Sequence, residues 1–256
     1  FIAHTISNES DGAQNVYVAD VDGDSDMDVL AASYNDDKIT WHENDGDENF
    51  TTHLISTDMD GARIAFPADI DGDGDVDVLS SSSLDDKVAW YENDGEENFS
   101  MNAVTQTPDA NGPYSVFAAD LDGDGDMDVC SASHFDNKIV WYENDGTHNF
   151  TSHTVTTGAE SARSVFASDV DGDGNIDLLS ASFNDDEIMW YENNGDQTFV
   201  AHTIANDADG AWSVFAVDMD GDDDGVADDD DSCADTPAGE EVDSEGCSAT
   251  QADGDG

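Results

Sequence analysis

The sequence predicts an all-β fold, a β-propeller-like array of four-stranded antiparallel blades, and three observations carry that prediction. One period of 49 to 51 residues governs most of the chain, each period holds four short β-like runs, and clusters of Asp, Asn and Gly separate the runs. The Trp of the WHEN or WYEN run falls at Trp41, Trp90, Trp141 and Trp190, in steps of 49, 51 and 49. The Asp that opens an acidic loop falls at Asp20, Asp69, Asp120, Asp169 and Asp218, in steps of 49, 51, 49 and 49. Phe1, Phe50, Phe99, Phe150 and Phe199 mark the same register, giving four full repeats (1–49, 50–98, 99–149, 150–198) and the first part of a fifth (199–218). Repetition at this period marks a stacked architecture, in which one unit cannot bury both of its faces alone.

The four runs are plainest in the third repeat: SVFAAD, DMDVCSAS, KIVWYEN and FTSHTV. Each alternates or is rich in β-branched and aromatic residues, and none reaches helical length. The separators are DGDG, an Asp-Asn or Asp-Asp pair, and NDG, all of which favour positive φ or Asx turns. A repeated Trp in every blade is expected to fill the space between sheets, in preference to forming a sugar-stacking platform. After Asp218 the expected second strand gives way to GDDDGVADDDDSCADTPAGEEVDSEGC, so a second, small domain is expected over 219–256.

Composition narrows the function. The chain carries 63 Asp plus Glu against 5 Lys plus Arg, a formal charge of −58, which excludes nucleic acid as a partner. Disorder, the usual reading of such acidity, fails because 37% of residues are hydrophobic and 9% aromatic, and they recur at fixed places. No apolar run approaches a membrane span, so membrane insertion is not expected. The chain opens at Phe1 in mid-repeat and is expected to be a piece of something longer. Cys130, where other repeats have Leu30, Leu79 and Leu179, is expected to be a buried thiol.

The chemistry lies in four loops of pattern D-x-D-x-D-x-x-x-D. Asp20, Asp22, Asp24 and Asp28 form the first, Asp69, Asp71, Asp73 and Asp77 the second, Asp120, Asp122, Asp124 and Asp128 the third, and Asp169, Asp171, Asp173 and Asp177 the fourth. Alternate residues point the same way, so their carboxylates converge, and the ninth residue, on the next strand, closes the cage. The seventh residue, Asp26, Asp75, Asp126 or Asn175, can add its backbone carbonyl. Gly at the sixth position permits the sharp turn in three loops, and Ser25 replaces it in the first. Such an all-oxygen set suits Ca2+, about one ion per full repeat, better than Mg2+. Two carboxylates 5 Å apart repel by about 3 kcal/mol at an effective dielectric near 20. A mere polar turn would need no fixed spacing. An EF-hand would need Glu at the twelfth position between two helices, where the second and third loops have Ser80 and Ser131 flanked by strands.

The run SVFAADLDGDGDMDVCSASHFDNKIVWYENDGTHNF (115–150) resembles the FG-GAP or VCBS repeat, the blade of integrin alpha-type β-propellers, and the resemblance covers residues 1 to 218. It implies a calcium ion in the loop between the first two strands of each blade. It also implies that residues 1–7 are an outermost strand and 213–218 an innermost one. Such propellers commonly have seven blades, so missing blades outside this chain, completion by neighbouring chains and an open array all remain open. The tail is similar to a thrombospondin type 3 repeat through Asp220, Asp222, Asp224, Asp228, Asp231 and Cys233. That resemblance implies one or two further calcium ions and a Cys233–Cys247 disulfide.

Four His residues, His4, His53, His153 and His202, share a repeat position and are expected to be exposed strand residues on separate blades. Lys38, Lys87 and Lys138 are expected to relieve repulsion among their acidic neighbours. Asn8, Asn49, Asn98 and Asn149 head sequons, and structural recurrence of the Asn-Phe-Thr turn rivals glycosylation as their explanation. No catalytic constellation is visible, so an enzyme is not expected. The expectation is an extracellular, secreted or cell-surface calcium-binding adhesion scaffold, whose partners are a surface protein, a glycan ligand or copies of itself joined head to tail. A carbohydrate-binding or polysaccharide-degrading module is the alternative.

Overall fold

The computed structural model describes residues 3–105 and 109–217. Among the described residues, sixteen strands form four separate antiparallel meanders. The first sheet is β1 (Ala13–Ala19), β2 (Asp28–Ser33), β3 (Lys38–Asn44) and β4 (Phe50–Ser56), and the second is β5 (Ala62–Ala68), β6 (Asp77–Ser82), β7 (Lys87–Asn93) and β8 (Phe99–Ala103). The third is β9 (Pro113–Ala119), β10 (Asp128–Ser133), β11 (Lys138–Asn144) and β12 (Phe150–Thr156), and the fourth is β13 (Ala162–Ser168), β14 (Asp177–Ser182), β15 (Glu187–Asn193) and β16 (Phe199–Ala205). No helix occurs among the described residues. Each sheet takes three strands from one Phe-to-Asn unit and its fourth from the next.

Register repeats from blade to blade. Trp41 lies between Leu30 and His53, Trp90 between Leu79 and Asn102, Trp141 between Cys130 and His153, and Trp190 between Leu179 and His202. Period-2 alternation sends these Trp residues to one face, where the first strands of the following blade meet them. β5 packs on β1 and β2, β9 on β5 and β6, and β13 on β9 and β10. Three hydrophobic cores result, one at each junction. The middle one joins Leu79, Val88 and Trp90 to Val116, Ala118, Val129 and Tyr142. Trp41, Trp90 and Trp141 are fully buried, as a core role requires, whereas Trp190 of the last blade is half-buried. Cys130 is buried and free.

Two strand expectations are corrected. Residues 3–7 are not a strand, because the equivalent β4, β8, β12 and β16 each pair with the third strand of a blade, and residues 3–7 have no such neighbour among the described residues. Residues 211–217 run beside β13, where the Val214 N–H donates to Ser164 Oγ at 3.3 Å, but form no strand, having no second strand to pair with among the described residues. The tail ligands Asp220, Asp222, Asp224, Asp228 and Asp231, with Cys233 and Cys247, lie outside the described residues.

Candidate metal centres

Each β1–β2-type connection folds into a tight loop built from its own sequence. At the fourth position Gly23, Gly72, Gly123 and Gly172 have φ of 75°, 74°, 75° and 73°, and at the sixth Gly74, Gly125 and Gly174 have φ of 97°, 99° and 91°. Ser25 adopts φ 79° at the same place, a conformation that costs an L side chain and not a glycine. The opening Asp clamps the turn. Asp120, for example, accepts from the Gly123 N–H at 2.8 Å and from the Gly125 N–H at 3.0 Å.

The ninth-position carboxylate is fully buried in all four blades. Asp77 accepts the Ile70 N–H at 2.9 Å on one oxygen and the Asn93 N–H at 2.8 Å on the other. Asp28, Asp128 and Asp177 repeat this bridge, onto Val21 and Asn44, Leu121 and Asn144, and Val170 and Asn193. One side chain thereby ties the loop's start to the end of the third strand. The Asn that ends the WYEN run reaches further. The Asn93 amide donates to the Val21 carbonyl of the preceding blade's loop at 3.1 Å, and Asn193 does the same to Leu121 at 2.7 Å. That bridging role was not evident in the sequence, although an invariant Asn after Trp-Tyr-Glu or Trp-His-Glu was its available signal.

Within each loop the structure brings together the first, third and ninth carboxylates: Asp20, Asp22 and Asp28; Asp69, Asp71 and Asp77; Asp120, Asp122 and Asp128; Asp169, Asp171 and Asp177. In each triad, oxygens from all three lie within 4.8 Å of one another. The fifth-position residues Asp24, Asp73, Asp124 and Asp173 stand outside the triads, each accepting the N–H of the seventh residue at 2.8 to 2.9 Å. Side chains of those seventh residues, Asp26, Asp75, Asp126 and Asn175, lie against Gly46, Gly95, Gly146 and Gly195 of the β3–β4-type turns, where a Cβ would collide with them.

The electrostatics of the triads ask for a cation. Burial pushes Asp77 and Asp128 up to about 6, with the carboxylates of Asp71 and Asp122 adding to the rise, and it raises Asp177 as well. Asp22, Asp71 and Asp122 are also raised, first by burial and then by neighbouring carboxylates. Asp20 Oδ1 is buried with no hydrogen-bond partner. Converging oxygens, an orphaned acceptor and disfavoured negative charge fit a hard divalent ion, and all four clusters could hold one.

The other candidates find plainer places. His53, His153 and His202 are half-buried and not exposed: each stacks on its blade's Trp at 4.4 to 4.6 Å and meets Glu43, Glu143 or Glu192 at 2.6 to 2.8 Å. Lys38, Lys87 and Lys138 pair with Asp36, with Asp58 and Asp85, and with Asp136. The Asn49, Asn98 and Asn149 amides donate to Asp45, Asp94 and Asp145 in the turn before the fourth strand, and exposed Asn8 lies outside the sheets.

The FG-GAP-like repeat model matches residues 20–80, 69–131, 128–180 and 169–225, each match opening on or near one of these loops. The chain belongs to the FG-GAP-like repeat family. The thrombospondin type 3 resemblance of the tail gains no support from the family comparison. No curated protein sequence matches. Among solved structures, an Agrocybe aegerita lectin that recognises non-reducing terminal N-acetylglucosamine is 23% identical, with a TM-score of 0.54, covering 77% of this chain and 54% of its own. The V. cholerae biofilm matrix protein Bap1 is 20% identical at TM-score 0.52, covering 78% and 29%. Virginiamycin B lyase of Staphylococcus aureus is 15% identical at TM-score 0.54, covering 80% and 59%. These likenesses concern the fold. This FG-GAP-like chain spans about three-fifths or less of each of those structures.

Proposed function

We propose that this FG-GAP-like chain is an extracellular calcium-binding adhesion scaffold and not an enzyme, in which Ca2+ occupies the four Asp triads and holds blade to blade. The observation that carries this reading is the fourfold recurrence of one carboxylate geometry, each copy wired through a buried Asp to the third strand of its own blade. Calcium would hold the triad carboxylates ionised. The residues around them fix loop shape and, through Asn93 and Asn193, couple one loop to the next blade. No helix among the described residues is long and apolar enough to cross a membrane. Isothermal titration of chelated protein tests the reading: about one Ca2+ per blade, with Mg2+ far weaker, supports it, and heat no greater than for a triad variant with Asp71→Asn, Asp122→Asn and Asp171→Asn overturns it.

The partner this reading favours is a second copy. Val16 and Val18 on β1 are each 63% exposed, while their equivalents Val116 and Ala118 are 1% and 6% exposed against the preceding blade. At the other end Ile188, Met189 and Trp190 are half-buried, where Ile139, Val140 and Trp141 are covered. The outer strand of the last blade and the outward face of β1 are thus both uncovered, and head-to-tail assembly would join them once a partner's β1 takes the place beside β13 that residues 211–217 hold here. Sedimentation in calcium should show concentration-dependent chains that the pair Val16→Asp and Val18→Asp abolishes; a monomer at all concentrations refutes self-assembly. A glycan ligand is the second partner class of this reading, and saturable glycan binding by the monomeric variant tests it independently of self-assembly.

A further inference from the structure

We propose that the cleft formed by Gln14, Arg63, Tyr114, Arg163 and Trp212 binds a carboxylate-bearing sugar. This names a ligand class within the glycan-partner part of the reading above. All five residues occupy one repeat position, the second of each blade's first strand and its equivalent at Trp212. The strand starts lie at the end of the blades opposite the Asp loops, which follow the strand ends, so the cleft is separate from the triads.

Two of the chain's five basic residues stand here. The three Lys are each paired with Asp, yet neither Arg has an ion-pair partner among the described residues. Aromatic rings hold them instead. The Arg63 guanidinium lies 3.8 Å from the Tyr114 centroid and 4.4 Å from that of Tyr34. Arg163 lies 4.5 Å from Tyr114 and 4.4 Å from Trp212. Arg63 is further fixed by donating to Ser83 Oγ, Gln14 Oε1 and the Tyr114 hydroxyl at 2.9, 3.1 and 2.8 Å. Arg163 donates no hydrogen bond among the described residues, and its Nε is buried without a partner. A buried, unpaired guanidinium donor is costly unless something accepts from it.

The space beside it is about 480 Å³, within the usual range for ligand pockets, and Asn15, whose Oδ1 is also buried and unpartnered, lines it. A planar fork of N–H donors matches a carboxylate in two parallel hydrogen bonds. Trp212 and Phe215, 59% and 71% exposed, offer faces on which the apolar side of a sugar ring can stack. Among the described residues no acidic side chain pairs with these two Arg residues. A net charge of −58 repels long polyanions, which favours a short or terminal acidic sugar over an extended acidic peptide.

The test uses the full chain in calcium, titrated with glucuronate, glucose, sulfate and tri-aspartate, read by tryptophan fluorescence and by ligand-observed NMR. Saturable glucuronate binding is expected, with glucose, sulfate and tri-aspartate at least about ten-fold weaker. Arg163→Gln should weaken glucuronate by about ten-fold or more, the worth of a hydrogen bond to a charged group. Arg163→Lys keeps the charge but loses the fork, and should weaken binding while leaving the melting temperature unchanged. Equal binding of glucose, sulfate or tri-aspartate overturns the proposal, as does glucuronate binding indifferent to both Arg163 variants or absent altogether. None of these results depends on whether the triads hold calcium, which the metal titration reads separately.

Discussion

Stripping divalent ions from the four triads is the perturbation to which the scaffold should respond most. Three carboxylate oxygens lie within 4.8 Å of one another in each loop. Two unit charges at about that distance repel by about 3.5 kcal/mol at an effective dielectric near 20, so the three pairs of one ionised loop carry about 10 kcal/mol. Backbone N–H groups offset part of this, but four such loops still exceed the ~5–15 kcal/mol that stabilises a domain. A site filled at 100 to 1,000 times its dissociation constant contributes about 2.7–4.1 kcal/mol. Each kcal/mol moves the melting temperature of a domain this size by about 2–4 °C, so emptying four sites should lower it by at least about 20 °C, or leave no cooperative transition. The effect has a direction in pH. In the metal-free chain Asp77 and Asp128 titrate near 6 when folded and near 3.8 when unfolded, so the folded state holds the extra protons. Metal-free stability therefore falls as pH rises from about 4 to 6, while calcium-loaded protein, whose carboxylates stay ionised, loses stability as pH falls. Calorimetry with calcium and with chelator should show the gap widening from about pH 5 to about pH 7.5. Coincident transitions at neutral pH, or a wider gap in acid, would refute the reasoning.

Other perturbations have smaller and more local effects. Ser25→Gly relieves a positive φ with open space beside the equivalent glycines, and should stabilise the calcium-loaded chain by about 1 kcal/mol, read from the urea midpoint. Trp90→Ala should cost about 3–5 kcal/mol and Trp190→Ala clearly less, since only the first is sealed by a following blade; equal costs would contradict the open fourth blade. Burial raises the Cys130 thiol well above its ordinary range, so peptide mapping should find it unmodified by iodoacetamide in calcium and alkylated once the protein is chelated and warmed.

Most of the framework was legible because the same chemistry recurs at each turn. Trp, Phe, Asp and Gly recur at one spacing, and the strands, their order and the Trp-centred cores follow from period-2 alternation and turn residues. The site was legible less fully. Alternation and the following strand suggested that the first, third, fifth and ninth carboxylates converge; the first, third and ninth meet within 4.8 Å, while the fifth caps the seventh N–H and stands outside that group. Spacing within a strand predicts direction, and spacing within a turn does not. The His series misled for a different reason: His53, His153 and His202 do sit on outer strands, but each finds a Trp face and a Glu beside it, contacts made across strands and invisible along the chain.

Residues that repeat without change and residues that vary at one position carry different information here. Asp28, Asp77, Asp128 and Asp177 are the same because every blade must solve the same problem, tying a loop to its third strand. Gln14, Arg63, Tyr114, Arg163 and Trp212 differ because the fold asks nothing uniform of that position, and their side chains meet around one cleft. A comparison keyed to identity passes over such a set. Repetition brings the same strand position of successive blades to one place, so different side chains there can build a cleft that no single repeat contains. The triads and the cleft then answer to different perturbations: chelation should lower the melting temperature of the scaffold, whereas changing Arg163 should leave that temperature in place and weaken the hold on glucuronate.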